Sequence, residues 1–401
     1  MPNQKMVTRS QAILKIASMR ELLLSDRPAE SIAVDKIGGR ILAETIVSEV
    51  NLPSQNHATM DGYAINSGDE YPLELIDSVF PEDSRGSISP GQAVRISTGA
   101  TLPEGADAVL KREDANVDGG NLVGEDIPSG TYVYAKGSNV SIGEKLFEKG
   151  TRLAPRDAIL LLDLGHKNVK VYSPFSVGIL ATGTEIYEGK HEDLDSAMLG
   201  GLVASWGGNP TYEGSVPDQY EIVEKRIEEL SEKYDVVITT GGTSVGKRDY
   251  VVKAISNLGK IQFQGVLVRP GKPITMASIG SSVVFAVPGK PIGAHTVSML
   301  FLRPFFVGLE EFPTIDMELS RDVKVSREGF EYIVPVMFEK DGRGAMPLGH
   351  IDSPLQIFDG VFNSSVLSSS TRAVQADGFF IMMSDVERGS VVKIVPYTAI
   401  Q

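Results

Sequence analysis

Between residues 172 and 309, short apolar segments alternate with segments of helical period, and this alternation constrains the fold more than any other feature of the chain. Residues 176–180 and 235–240 read as strands, and in the second Val236, Val237 and Ile238 stand in a row, as expected of a strand covered on both faces. Helices are predicted between the strands. Leu199, Leu202, Val203 and Trp206 keep i, i+3, i+4, i+7 spacing behind Asp195 as the cap, with Gly207-Gly208 as the stop. Pro217 opens a second helix, residues 218–232, with Ile222, Val223, Ile227 and Leu230 facing inward. A helix from about Tyr250, strands at 261–268 and 283–287, and a helix at 292–306 complete a three-layer α/β domain with a mostly parallel sheet.

The flanking regions have a different texture. Residues 10–24 place Ile13, Leu14, Ala17 and Leu22 on one helical stripe, ended by Arg27-Pro28. From about 33 to 150, short β-rich runs such as 60–65, 93–97, 108–111 and 132–135 are broken by Gly, Pro and Asp, which predicts an irregular β-rich region. A short helix over 157–165 follows. Beyond about 314 there is no helical period, and runs at 332–338, 379–383 and 391–395 predict a small all-β domain, a barrel or a sandwich. The expected division is an N-terminal region over 1–170 in two subdomains (the inner one about 45–140), an α/β domain over 171–312 and a β domain over 313–401.

Charge and composition narrow the function. Lys and Arg total 38 against 52 Asp and Glu, a formal net charge of −14, so nucleic acid and anionic membrane surfaces are not expected partners. The chain has no cysteine, which removes disulfides, zinc–thiolate sites, iron–sulfur clusters and cysteine nucleophiles, and fits a reducing cytoplasm. No leader or membrane-spanning segment is expected: the N-terminus is polar, and the uncharged run 273–289 holds two prolines and two glycines.

In a parallel α/β sheet, ligands bind beyond the carboxyl ends of the strands. Two loops there stand out: Thr182-Gly183-Thr184-Glu185, and the run from Gly241-Gly242 through Ser244, Gly246 and Lys247 to Asp249. The second nearly matches a phosphate loop, but Arg248 stands where a magnesium-binding hydroxyl belongs, so nucleotide hydrolysis of that kind is not expected. Between residues 241 and 291 there are seven basic residues and a single acid, Asp249. Two of the seven, Lys272 and Lys290, are each fixed between a glycine and a proline, in Pro270-Gly271-Lys272-Pro273 and Pro288-Gly289-Lys290-Pro291. A placed ammonium on rigid backbone loses little entropy when it binds an anion, so a cationic pocket is expected. His166, His191 and His350 read as surface residues and His295 as packed in the last helix; none has a second ligand at metal spacing.

These segments, with Met60-Asp61-Gly62-Tyr63-Ala64 and Ser97-Thr98-Gly99-Ala100 in the N-terminal region, occur in the order found in the molybdopterin molybdenumtransferases, and the chain resembles that family over nearly its whole length. The resemblance implies an elongated homodimer, an irregular N-terminal pair of domains, a molybdopterin-binding α/β domain and a C-terminal β-barrel. It implies insertion of molybdate or tungstate into adenylyl-molybdopterin with release of AMP and with Mg2+, and molybdopterin adenylyltransferase as the partner that supplies the substrate. Asp249, Glu185 and Asp61 are then the expected catalytic residues, with Asp249 and Glu185 on the magnesium. Ser97, Thr98, Asn139, Thr182, Gly183, Gly241, Gly242, Ser244, Gly246, Lys247, Arg269, Lys272, Pro288, Gly289 and Lys290 are the expected substrate contacts, those of the N-terminal region arriving across the dimer interface. Four positions depart from the family pattern: Asn139 and Lys247 stand where acids are usual, Lys290 where asparagine is, and Arg269 where lysine is. They keep open two alternatives, a non-catalytic molybdopterin-binding or scaffold paralogue and a molybdopterin adenylyltransferase.

Overall fold

A computed structural model describes residues 6–79, 86–241, 250–340 and 342–400. They form two compact units, Ser31–Val171, and Met1–Glu30 with Tyr172–Gln401.

The first unit is built on a six-stranded sheet in the order Ala108–Lys111, Gly62–Ile65, Gln92–Ile96, Leu73–Val79, Asn121–Val123, Asn116–Asp118. Neighbouring residues in its central strands go to different cores. Ala64, Val94 and Val109 pack on one face, while Ile65, Ala93, Ala108 and Leu110 pack on the other. Period-two alternation with both phases apolar means that both faces are covered. Gly62 is needed here because a Cβ at that position would lie 2.0 Å from the Leu110 carbonyl oxygen across the strand pair. A separate core of Val34, Ile37, Leu42, Ile46, Leu153, Leu161, Val169 and Val171 gathers around the short helix Asp157–Asp163.

In the second unit a six-stranded sheet runs in the order Asn209–Val216, Ser176–Thr182, Val236–Thr240, Ser282–Val287, Thr275–Ile279, Lys260–Gln264. The first four strands are parallel and the last two antiparallel. Two of these strands escape prediction from hydropathy. Asn209–Val216 is a largely solvent-facing edge strand carrying a proline, and Thr275–Ile279 opens on a buried threonine. The expected strand over 261–268 is really two, since Val268–Arg269 leaves the α/β sheet and pairs with Glu331–Phe338. The helix expected to start at Asp195 is capped by Asp193, whose carboxylate accepts from the Ser196 N–H at 3.0 Å. Ile222 is 40% exposed, with Val223, Ile227 and Leu230 forming the buried stripe. The closing helix carries a wide turn at Ser298–Leu302 and buries Phe305 between Phe175 and Phe285, at ring distances of 5.2 and 5.6 Å.

The C-terminal strands close into a five-stranded barrel. Glu331–Phe338 pairs with both Gly344–Pro347 and Gly378–Met382, and the circle is completed through Ile315–Leu319 and Val391–Pro396. Its core contains Tyr332, Val334, Phe358, Phe362 and Phe380. His350 is buried at 6% exposure, edge-on to Phe358, and not on the surface as its polar neighbours suggest. The helix Arg9–Ser25 also belongs to this unit and buries Ala12, Ile16, Arg20 and Leu24 while Leu14 and Leu22 stay exposed. An arginine in the buried stripe is what misleads a count of apolar spacing; its guanidinium is held by Glu21 at 2.8 Å. Among the described residues no helix is long and apolar enough to cross a membrane.

Candidate functional site

The chain leaves the strand Ser176–Thr182 for one neighbour in the sheet, Asn209–Val216, and then crosses to the other, Val236–Thr240. That reversal opens a crevice at the carboxyl ends of the strands, the usual place for a ligand in such a sheet. Register brings the loops level, since Ala181 pairs with Thr240 and Thr240 with Val287. Three loops therefore meet backbone to backbone. Gly241 has φ 80°, and a Cβ there would lie 2.4 Å from the Thr182 carbonyl oxygen. Thr182 donates its hydroxyl to the Thr240 carbonyl at 2.8 Å. A Cβ on Gly289 would lie 2.9 Å from the Gly241 Cα. Gly289→Ala is thus expected to cost about 1–3 kcal/mol of stability by forcing these backbones apart. Chemical denaturation measures this, and wild-type stability in the variant would contradict the close approach.

Above the loops lies a cleft of about 530 Å³, lined by Thr182, Gly183, Glu185, Glu192, Asp193, Asp195, Asp218, Gly241, Pro288, Gly289 and Lys290 among others. Pro273, Pro288 and Lys290 are shared with a smaller cleft of about 250 Å³, lined by Arg269, Lys272, Ser364, Ser365 and Ser368. The charges are sorted between the two. Among the described residues, five carboxylates and one lysine line the large cleft, whereas the small one has three cations, three serines and no carboxylate. The expected cationic residues Arg269, Lys272 and Lys290 meet at the small cleft, while acids line the large one. Counting charges over 241–291 cannot register acids that fold in from 185–195 and 218.

The basic end is rigidly built. The Arg269 guanidinium lies 4.4 Å from the Phe330 ring centroid, and its Nε is buried without a hydrogen-bond partner. Lys272 is half-buried next to Gly271, which has φ 109° and where a Cβ would meet Val297 Cγ1 at 2.5 Å. Lys290 donates to the Ser365 carbonyl at 3.1 Å, which ties the α/β loop to the barrel.

At the acidic end, Asp195 is 6% exposed and its Oδ1 has no hydrogen-bond partner. Burial, reinforced by Asp193, pushes its carboxyl up to about 6. A carboxyl raised on folding favours the protonated folded state, so its contribution is present at low pH and lost as pH rises through about 6. Asp195→Asn is therefore expected to stabilise the protein by about 2 kcal/mol at pH 7, and the gain should fade below about pH 4. Urea unfolding at the two pH values measures it; an equal gain at both would contradict the assignment.

Of the expected contacts, Gly242, Ser244, Gly246, Lys247 and Asp249 lie outside the described residues. Glu185 lines the large cleft with an exposed side chain. Among the described residues no three His, Asp or Glu side chains are grouped as metal ligands. In the other unit, Asp61 accepts from the Thr98 N–H at 2.7 Å and the Thr98 hydroxyl at 2.8 Å, and these bonds hold its carboxyl below the usual carboxylate range. Ser97 lies next to this pair in sequence, with its carbonyl accepting from the Ala100 N–H at 3.0 Å. Asn139 is exposed, and its N–H donates to the Leu52 carbonyl at 2.9 Å.

Comparison with known proteins fits this geometry. A family model of the MoeA N-terminal region (domain I and II) matches residues 7–165, and one described as "Probable molybdopterin binding domain" matches residues 178–307. The molybdopterin molybdenumtransferase of Haemophilus influenzae is 30% identical over 318 residues, 76% of this chain and 78% of its own. The chain belongs to the molybdopterin molybdenumtransferase family. The Bacillus subtilis molybdopterin molybdenumtransferase is 31% identical over 69% of each chain. A crystal structure of the molybdopterin biosynthesis MoeA protein of Pyrococcus horikoshii matches at TM-score 0.75 and 27% identity, covering 98% of this chain and 100% of that one. Membership places this protein among the enzymes of molybdenum cofactor biosynthesis. For a molybdopterin molybdenumtransferase, the expected contacts did not include Asp193, Asp195, Asp218 or the three serines that line the clefts. The serine-rich run 364–370 behind Asn363, which caps the helix Ser364–Leu367, is the signal that could have found the last group.

Proposed function

We propose that this enzyme inserts molybdate, or tungstate, into adenylyl-molybdopterin and releases AMP. The observation that carries the reading is the division of charge along one crevice at the switch point of the sheet. A tetrahedral dianion is suited to the small cleft, where Arg269, Lys272 and Lys290 supply charge and Ser364, Ser365 and Ser368 supply short polar groups, with no competing carboxylate among the described residues. The large cleft takes the adenylylated pterin over the backbone of Thr182, Gly183, Gly241, Pro288 and Gly289.

A diphosphate cannot lie beside five carboxylates without a cation between them, and the hard oxygen donors there suit magnesium. Magnesium needs only one or two carboxylates from the protein, with the ligand's oxygens and waters supplying the others. Glu185 and Asp249 would hold the ion, which supplies neutralisation of the charge on the departing phosphate. Asp61 is a further acid of the reaction, and Thr98 keeps it ionised. Ser97 and Asn139, with Gly242, Ser244, Gly246 and Lys247, complete the proposed substrate contacts. On the same reading the chain divides at about 170 and 312, works as a cytoplasmic homodimer, and receives its substrate from a molybdopterin adenylyltransferase.

The test is AMP formation by the purified chain given adenylyl-molybdopterin and magnesium, with and without molybdate. Molybdate-dependent AMP release is expected; no AMP under either condition would overturn the proposal.

A further inference from the structure

We infer that Phe330 is the positioning residue for Arg269, holding the guanidinium by its face so that the N–H edge stays open to the oxyanion; this rests on the oxyanion site proposed above. Arg269 lines the small cleft, half-buried, with its Cζ 4.4 Å from the Phe330 ring centroid. Among the described residues no ion pair holds it, and its Nε is buried without a hydrogen-bond partner. Three other arginines with buried side chains in this unit are each held by a carboxylate. Arg20 pairs with Glu21 at 2.8 Å, Arg303 with Glu310 at 2.9 Å, and Arg27, which also lies on a ring, with Asp235 at 3.2 Å. A carboxylate takes a guanidinium by its edge and occupies the donors, whereas an aromatic ring takes it by its face and leaves them free.

Local structure fixes the pair. Val268–Arg269 runs parallel to Glu331–Phe338, with Val268 opposite Glu331 and Arg269 opposite Tyr332, and the Leu267 carbonyl accepts from the Glu331 N–H at 2.8 Å. Phe330 stands immediately before that strand, 4% exposed and packed in the barrel core, so its ring is a fixed platform. A free arginine loses rotamer freedom when it binds a ligand; one already seated on a ring has lost much of it beforehand. A dianion entering the small cleft then meets a preformed planar fork beside the ammonium groups of Lys272 and Lys290.

The experiment measures equilibrium binding of molybdate and tungstate, with the molybdate KM and kcat of AMP release, in wild type, Phe330→Leu, Arg269→Met and the double variant. Phe330→Leu is expected to weaken both oxyanions about 3- to 30-fold and to raise KM alike, with kcat within about twofold of wild type. In the Arg269→Met background the same change should have no further effect on oxyanion binding. Arg327 is the control: it is exposed, lies 5.8 Å from the same ring and does not line the small cleft, so Arg327→Met should leave affinity unaltered. Because Phe330 lies in a core, trifluorophenylalanine at this position supplies a ring of nearly the same shape with a weakened face, and oxyanion affinity should fall with the packing kept. Unchanged affinity with the fluorinated ring, or equal losses from Phe330→Leu with and without Arg269, would overturn the inference, since a packing role does not depend on the guanidinium. Failure of wild type to bind molybdate or tungstate would instead overturn the proposed function on which the inference rests.

Discussion

Lys272→Met is expected to lower molybdate-dependent AMP release by about 10²–10³-fold, the usual cost of removing a fixed charge from a reacting oxyanion. The fold invests in the placement of this ammonium. Gly271 takes a left-handed conformation against Val297, Pro273 stiffens the other side, and the Lys272 carbonyl accepts from the Val266 N–H at 2.9 Å. Methionine has similar length and keeps the packing, so the loss should appear as weaker molybdate binding and slower turnover, with stability unchanged. Lys290→Met is expected to have the smaller effect on charge and the larger on architecture, because its ammonium already engages the Ser365 carbonyl. Steady-state kinetics at varied molybdate checks both; activity within twofold of wild type for Lys272→Met would remove the small cleft from the reaction.

The second large effect is expected at the opposite end. Glu185→Gln should reduce AMP release by about 10²-fold or more and raise the magnesium concentration needed for half-maximal activity, since the amide gives up a charge that the cation requires. Asp249→Asn should behave alike. Glu185→Gln should leave molybdate binding unaltered, because among the described residues no carboxylate lines the small cleft. The pair of results distinguishes a divided site from a single mixed one. Magnesium titrations of AMP release measure the effect, and an unchanged magnesium requirement in both variants would contradict the assignment of the cation.

Much of this was legible in the chain itself because its signals are local. The apolar run Val236-Val237-Ile238 announces a doubly covered strand, and it is fully buried in the sheet. Glycine and proline around Lys272 and Lys290 announce rigid loops, and both loops line the crevice. Asp61 and Thr98, 37 residues apart, came to notice through the order of motifs and are in direct hydrogen bond. What escaped depends on long-range assembly. Asp195 looks like a helix cap until Asp193 takes that role and leaves it buried at the cleft. Ser364, Ser365 and Ser368 lie about 75 residues beyond Lys290 and reach the basic end only because the barrel folds back on the α/β domain. The acids of the large cleft escaped for the same reason: net charge along a segment is a one-dimensional quantity, and the sorting of acids from bases takes place across strands.

The oxyanion is expected at the end of the crevice opposite the carboxylates. Crystals soaked with tungstate, AMP and magnesium and measured at the tungsten absorption edge test it most directly. An anomalous peak is expected among Arg269, Lys272, Lys290 and Ser365, separate from density for the nucleotide beside Glu185. A tungsten peak among Glu185, Asp195 and Asp218, with the small cleft empty, would contradict it.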